Sequence, residues 1–418
     1  MKRAIIKGVL LGCIFAFALM ILSRVMNQGN TDMTTEMGEA TYPVLSMYVG
    51  AYRVGSLHGY AQSMECAYLR DNLQPIGEDR KIDVRMNTYG RGIDAIAFEV
   101  RSLDGERLVE STPVEEYERE EDEISFSITL KDLIENDIEY MLVFLITPEN
   151  STPVRYYSRI ILSESLHVRE KLDYIIDFHE RTFNKEAAAE LTKYLESNSE
   201  GDNTTFHKVT IHSSFNQVTW GDLPVKRVTD PRIMIRELTE HTGSFNLEYL
   251  VNIRNGKRTS YYRISEYYRI RYTPDRMYLL DFERTMEQIF DEESDVYIND
   301  KIVLGITGEK VTLKESDGGN VFAFTVADKL YSYNVTDNKM ARLFSFYGNT
   351  EELLDERSAY DKHDIRVLTV DETGNILFLV YGYMNRGRHE GCVGVTLYTY
   401  SSMTNTVEEM AYIPYDKS

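Results

Sequence analysis

The chain has 418 residues, 43% hydrophobic and 11% aromatic, which is too long for one ordinary core and too apolar for a disordered polyelectrolyte. Its formal charge of -21 excludes wholesale nucleic-acid binding, because neutralising phosphates takes clustered Lys and Arg rather than an acidic excess. Acidity by itself names no partner.

The N-terminus carries an address. Lys2, Arg3 and Lys7 precede an uncharged, mostly apolar run from Gly8 to Ser23 that Arg24 closes. With Ala4 to Ile6 added, the run approaches the ~20 residues that span a bilayer, and Lys7 can snorkel toward the headgroups. Positive charge concentrated before the run predicts a cytoplasmic N-terminus. Residues 1–26 are therefore expected to be a retained single-pass anchor in the cytoplasmic membrane, with the bulk of the chain extracellular. Cleavage after Ala18 is the weaker reading, since the apolar run continues through Leu22 where polar residues should begin. Cys13, Cys66 and Cys392 make no disulfide framework, and an exported chain without bridges fits a Gram-positive envelope.

Residues 27–43 are polar and small, as a tether needs to be. Residues 44–164 read as short strands divided by turn signals. In Ile124 to Leu130, apolar Ile124, Phe126, Ile128 and Leu130 alternate with Ser125, Ser127 and Thr129, the pattern of a half-buried strand. About seven such strands predict a β-sandwich of immunoglobulin or fibronectin type. The acidic run Val114 to Glu123 lacks the glycine and ligand spacing of a calcium loop and reads as a solvated loop.

At Ser165 the period becomes helical, with Val168, Leu172, Ile175, Ile176 and His179 near one face and Asn184 as N-cap of a second helix. Residues 165–200 are expected to form a helical spacer. His167 and His179 read as surface or boundary residues, because no paired carboxylate makes a zinc set.

Residues 201–295 read as an antiparallel β-rich segment, a possible first propeller blade. Asn255-Gly256 signals a type I′ hairpin. In the strand after it, Tyr262, Ile264, Tyr268, Ile270 and Tyr272 form an apolar face. Tyr261, Arg263, Tyr267, Arg269 and Arg271 form the opposite one, a basic aromatic stripe on an acidic protein. The stripe is a candidate contact for an acidic glycan or an acidic segment of an envelope protein. The commoner reading is a sheet face whose tyrosines and arginines stack on each other. Asp275 to Asp295 is expected to begin extended and turn helical from Glu283, ending in the surface acid cluster Asp291, Glu292, Glu293 and Asp295.

Residues 296–418 repeat a hairpin: Leu330, Tyr331, Tyr333 and Asn338 are answered by Leu397, Tyr398, Tyr400 and Asn405. Asp364 to Tyr415 supplies four antiparallel strands, one blade of a β-propeller. Residues 201–418 hold fewer than the about four blades of a closed ring, so an incomplete propeller is expected. One blade loop gathers Asn385, Arg386, Arg388, His389 and Glu390. It is either an anion or glycan contact built on two guanidinium forks or, the favoured reading, a turn permitted by Gly387 and Gly391 whose charges bind neighbouring backbone.

The segments Leu57 to Asp71, Asp275 to Asp291 and Tyr381 to Gly391 resemble a family of large single-pass envelope proteins with β-propeller repeats from clostridial Gram-positive bacteria. The resemblance spans nearly the whole chain after the anchor and implies an architecture and an address, but no catalytic residue. This chain is much shorter than such proteins.

No Gly-x-Ser-x-Gly, Walker loop or Cys/His constellation is present, so no catalytic residue, cofactor or metal is assigned. The expected function is a membrane-anchored extracytoplasmic binding, scaffold or sensing module. The alternative, by fold analogy, is an envelope polysaccharide-active glycosidase or lyase on a propeller scaffold.

Overall fold

The computed structural model describes residues 31–32, 38–256, 258–290, 297–298, 301–307, 311–347, 352, 354–358, 360 and 362–416. The protein is mainly β: 51% of the described residues are in strands and 10% in helices. The expected anchor over residues 1–26 and the acid cluster Asp291 to Asp295 lie outside the described residues. Among the described residues no helix is long and apolar enough to cross a membrane.

After a two-residue strand β1 (Thr31–Asp32), the first unit is built from ten strands: β2 (Val44–Val49), β3 (Tyr52–Leu57), β4 (Leu73–Ile76), β5 (Lys81–Asn87), β6 (Ile93–Ser102), β7 (Leu108–Pro113), β8 (Glu118–Glu120), β9 (Glu123–Thr129), β10 (Glu139–Pro148) and β11 (Val154–Leu162). They form two facing layers, ordered β3-β2-β5-β9-β8 and β4-β11-β10-β6-β7. Leu45, Val84, Ile124 and Phe126 of one layer share a core with Phe98, Leu142, Phe144 and Tyr156 of the other. The alternation in β9 is the one expected from its sequence: Ile124, Phe126 and Ile128 are buried between exposed or half-buried neighbours. Each such side chain contributes about 1.5–3 kcal/mol on leaving water. The acidic run is solvent-exposed, and its middle forms the edge strand β8 on β9.

The second unit continues one of these layers. Its strands are β12 (Lys208–Thr210), β13 (Val225–Arg227), β14 (Arg232–Leu238), β15 (Thr242–Asn255), β16 (Arg258–Tyr272) and β17 (Met277–Gln288). β14 runs parallel to β3 through Ile233 and Val54, so one sheet extends from β8 to β12. Helix α1 (Val168–Thr182) lays Leu172, Ile175 and Phe178 against Phe245, Leu247, Tyr268 and Phe282 of that sheet. The helices expected as a spacer are thus the filling of the second unit. Asn184 caps α2 (Lys185–Ala188) by accepting from the amides of Glu186 and Ala187. At the start of α1 the three protons of the buried Lys171 ammonium are shared among the carbonyls of Leu166, Thr239, Glu240 and Thr242, which stand 2.6–3.2 Å from Nζ.

Two local expectations are corrected here. β17 stays extended through Gln288 instead of turning helical at Glu283, because Phe282, Arg284 and Met286 continue the inward alternation opposite β16. The hairpin before β16 is also one residue later than expected: Asn255 pairs with Arg258 and ends its strand, and Gly256 takes the positive φ of 61°.

Two further sheets follow a short strand pair, β18 (Tyr297–Ile298) and β19 (Lys301–Ile302). One contains β20 (Thr312–Glu315), β21 (Val321–Val326), β22 (Lys329–Asn334) and β23 (Lys339–Phe344), with β1 added in parallel beside β23. The other contains β24 (His363–Val370), β25 (Ile376–Tyr383), β26 (Val393–Ser401) and β27 (Thr406–Pro414). They pack through Leu330, Phe344, Phe378 and Tyr398. The repeated hairpins close alike. Asn338 and Asn405 adopt φ of 49° and 55°, and the Tyr333 and Tyr400 hydroxyls donate to their Oδ1 atoms at 2.8 and 2.9 Å. Asparagine is tolerated in this left-handed region, and its carboxamide oxygen there accepts from the strand's own tyrosine.

The last sheet is docked on the first unit. Tyr383 donates to the Gly59 carbonyl at 2.8 Å, the Ala61 amide donates to the Gly391 carbonyl at 2.8 Å, and the Tyr60 ring meets Tyr383 edge-on. Gly391 has φ of +73°, and a Cβ there would stand 2.5 Å from the Tyr42 ring and 2.8 Å from the Gly59 carbonyl oxygen. Gly391→Ala is therefore expected to lower stability by about 2–4 kcal/mol in urea unfolding and to expose the 362–416 region to protease first. Unchanged stability would show that this docking is soft.

Candidate functional site

Three places gather chemistry. The first is inside the second unit, where Glu266 occupies an inward position of β16 between Ile264 and Tyr268 and is completely buried. Its carboxylate accepts from His179 Nδ1 at 2.9 Å and from the Tyr249 and Tyr268 hydroxyls, both at 2.8 Å. Its register partner on β17 is Arg284, also fully buried. Arg284 donates to the carbonyls of Val218 and Gln217 at the end of α3 (Phe215–Val218) and stacks 3.5 Å over the Trp220 ring. Burial would push the Glu266 carboxyl up, but His179, Arg284 and the Tyr249 hydroxyl hold it below its ordinary value. His179 Nε2 lies 3.3 Å from an Arg227 N–H, which can only donate, so the imidazole donates through Nδ1 and accepts through Nε2.

His179 is thus no boundary residue. It is completely buried on the core face of α1. His167 is half-buried, with its ring stacked 4.0 Å from Tyr272. The signal that finds the network is the pair of charges at inward phases, Ile264-x-Glu266-x-Tyr268 and Phe282-x-Arg284-x-Met286.

The stripe on β16 faces outward as expected, but β17 answers it. Arg269 stands opposite Asp281, Tyr267 opposite Glu283 and Arg263 opposite Glu287. Arg263 also pairs with Asp328 at 2.7 Å, and Arg271 lies 4.7 Å over the Tyr278 ring. Tyr261 is half-buried beside Asn252. The loop 385–390 is fastened to its own chain. Asn385 is buried, with its amide donating to the Ser358 carbonyl. Arg386 donates to the carbonyls of Gly38 and Phe346 and pairs with Glu352 at 2.8 Å. His389 contacts Glu409 at 3.0 Å and stacks on Tyr412. The Glu390 carboxylate accepts from both the amide and the hydroxyl of Thr41 and from the Tyr42 amide. Arg388 is exposed.

The second place is a cavity of about 60 Å³ where three parts of the fold meet: Ser56, His58 and Tyr60 from the first unit, Arg232 and Glu248 from the second, Tyr360 and Lys362 from the C-terminal part. The His58 ring stacks 4.1 Å from Tyr360, and the Tyr60 and Tyr360 hydroxyls are 2.9 Å apart. Burial, with Arg232, Arg53 and Lys362 nearby, pulls His58 down to about 3, so it is neutral at working pH.

The third is an open groove of about 1460 Å³ between the outer face of β17 and the two C-terminal sheets, with Glu283, Glu287, Lys314, Asp328, Arg366 and Tyr381 among its walls. Lys362 lines both cavity and groove. Among the described residues no group of three or more His, Cys, Asp or Glu is placed to hold a metal.

Two outcomes follow from the buried groups. Glu266→Leu strands the buried His179, Tyr249 and Tyr268 donors and removes the carboxylate charge that offsets Arg284 through space, and is expected to cost about 3–5 kcal/mol, whereas adding Arg284→Met should recover part of that loss. Equal or additive losses in urea unfolding would show that the two do not act as a pair. His58, depressed from 6.5 to about 3, makes the unfolded chain bind a proton that the native chain refuses. Stability is therefore full above pH 6.5 and falls as pH drops toward 3, by up to about 1.4 kcal/mol per pH unit. His58→Phe should flatten the pH dependence between those limits by about one proton, and an unaltered slope would refute the burial argument.

Comparison with family models, with curated proteins and with solved structures finds no match for the chain.

Proposed function

We propose that the chain is a recognition module of the cell envelope. Residues 1–26 hold it in the cytoplasmic membrane with the N-terminus inside. Its extracellular body is an immunoglobulin-like sandwich followed by propeller-type sheets, and it binds an extended envelope polymer, an acidic glycan first, in the groove beside β17. The groove carries this reading: it is open, about 1460 Å³, and walled by three parts of the fold. Its charged groups take both signs, Arg366 is an exposed cation, and Tyr381 is an exposed aromatic surface. Aromatic area and guanidinium donors together suit a hydroxylated, anionic chain. The address rests on the charge pattern around the apolar N-terminal run and on the resemblance to clostridial envelope proteins. The propeller reading is supported by the duplicated tyrosine–asparagine hairpins.

The stripe Tyr261, Arg263, Tyr267, Arg269 and Arg271 borders this groove through the Arg263–Asp328 pair. In the proposal it extends the binding face and does not form a separate basic patch, since Asp281, Glu283 and Glu287 stand beside it.

The test is capture of the detergent-solubilised chain on immobilised acidic wall polymer. Arg366→Glu with Tyr381→Ala is expected to weaken capture at least about tenfold while melting stays within about 2 °C of the parent. Undiminished capture would remove the groove reading. Turnover of the polymer that stops in Glu287→Gln would favour the polysaccharide-active enzyme instead.

A further inference from the structure

The junction cavity has unmet hydrogen-bonding capacity concentrated in one small place. Ser56 Oγ and His58 Nε2 are buried without a partner among the described residues, and both residues line it. The Tyr60 and Tyr360 hydroxyls bond each other, so one donates and the other keeps a proton for which no described residue supplies an acceptor. Buried polar atoms left in this condition are destabilising unless something occupies the site.

Charge at the rim is already spent. Arg232 pairs with Glu248 at 2.8 Å, and Asp71 is shared by Arg236 at 2.9 Å and Lys362 at 3.8 Å. An anion or cation would therefore enter without a counter-charge, while hydroxyl groups would find donors and acceptors. Leu57 and Met234 add apolar wall for C–H groups. At about 10–15 Å³ per water, 60 Å³ holds about four to six waters' worth, the size of one end of a pyranose ring and too little for two rings.

We propose that this cavity binds the uncharged end of a sugar, with Ser56, His58 and the Tyr60–Tyr360 hydroxyl pair as its hydrogen-bonding floor. Because Lys362 lines both cavity and groove, the sugar is the terminal residue of the polymer that the groove holds. The inference rests on the groove reading only in that last respect.

The experiment is ligand-observed NMR titration of the full chain in detergent with glucose, galactose, rhamnose and N-acetylglucosamine, alongside glucuronate and glucosamine. At least one neutral sugar is expected to saturate with Kd on the order of 1–10 mM. Ser56→Ala should weaken it about tenfold and His58→Phe should abolish it, with the charged sugars at least about tenfold weaker. Arg366→Glu with Tyr381→Ala should leave monosaccharide binding intact, so loss of polymer capture and loss of pocket binding are read separately. The proposal is overturned by no saturable neutral-sugar binding up to about 100 mM, which makes this a water site only, by preference for a charged sugar, or by unchanged affinity in both pocket variants.

Discussion

An ionised carboxylate deep in a protein costs several kcal/mol, and the second unit is arranged around meeting that cost at Glu266. His179 brings α1 to the carboxylate, Tyr249 brings β15, Tyr268 adds a donor from its own strand, and Arg284 brings β17. The His179 and Tyr249 donors each tie an element to β16, while Arg284 stands opposite on β17 and spends its own hydrogen bonds on the carbonyls of Val218 and Gln217. A helix on a purely aliphatic sheet face can slide by a turn with little penalty, but this one cannot move without breaking a buried hydrogen bond. Arg284 passes the constraint on to α3 and Trp220. The outer face of β17, which walls the groove, inherits its position from the inner face of the same strand.

The last sheet meets the first unit through main chain and rings as well as through the Glu390 carboxylate. Gly59, Ala61 and Gly391 let two backbones approach closely, and tyrosines 60, 360 and 383 fill what remains. A junction of rings and main chain is stiff because aromatic side chains have few rotamers to lose. Stiffness here holds the walls of the cavity and of the groove at a constant separation.

The position of many strands was legible in the sequence, because much of the core of the first unit and of the last two sheets is written as plain alternation, though 44–57 is a hairpin of two strands and the first unit has ten strands where about seven were read. β9 and the β24-to-β27 sheet fall where the pattern puts them. The helices were legible as helices but not as a core, since amphipathicity says which face is buried and not against what. Where a strand carries a charge at an inward phase, alternation read as hydrophobicity alone passes over it. Glu266 and Arg284 were missed in that way, and β17 was misread in part because its acidic residues suggested a helix end. For the loop 385–390 the sequence offered a contact surface or a turn held by neighbouring backbone, and only tertiary structure brings Gly38, Phe346, Thr41 and Tyr42 to its side chains. The cavity was not legible at all. Its lining comes from four distant stretches, and no local pattern joins His58 to Arg232 or Tyr360.

The clasp between Glu390 and Thr41 has a kinetic meaning. Its partners are 349 residues apart, so its closure is among the most non-local events in the chain. A ribosome supplies residues in order, and at about 5–20 residues per second the first unit emerges tens of seconds before residue 390. For that interval Tyr42 and the Gly59 backbone lack the loop that covers them. Over that interval the first unit has its own two-layer core to rely on, and the clasp can close only once residue 390 has been made.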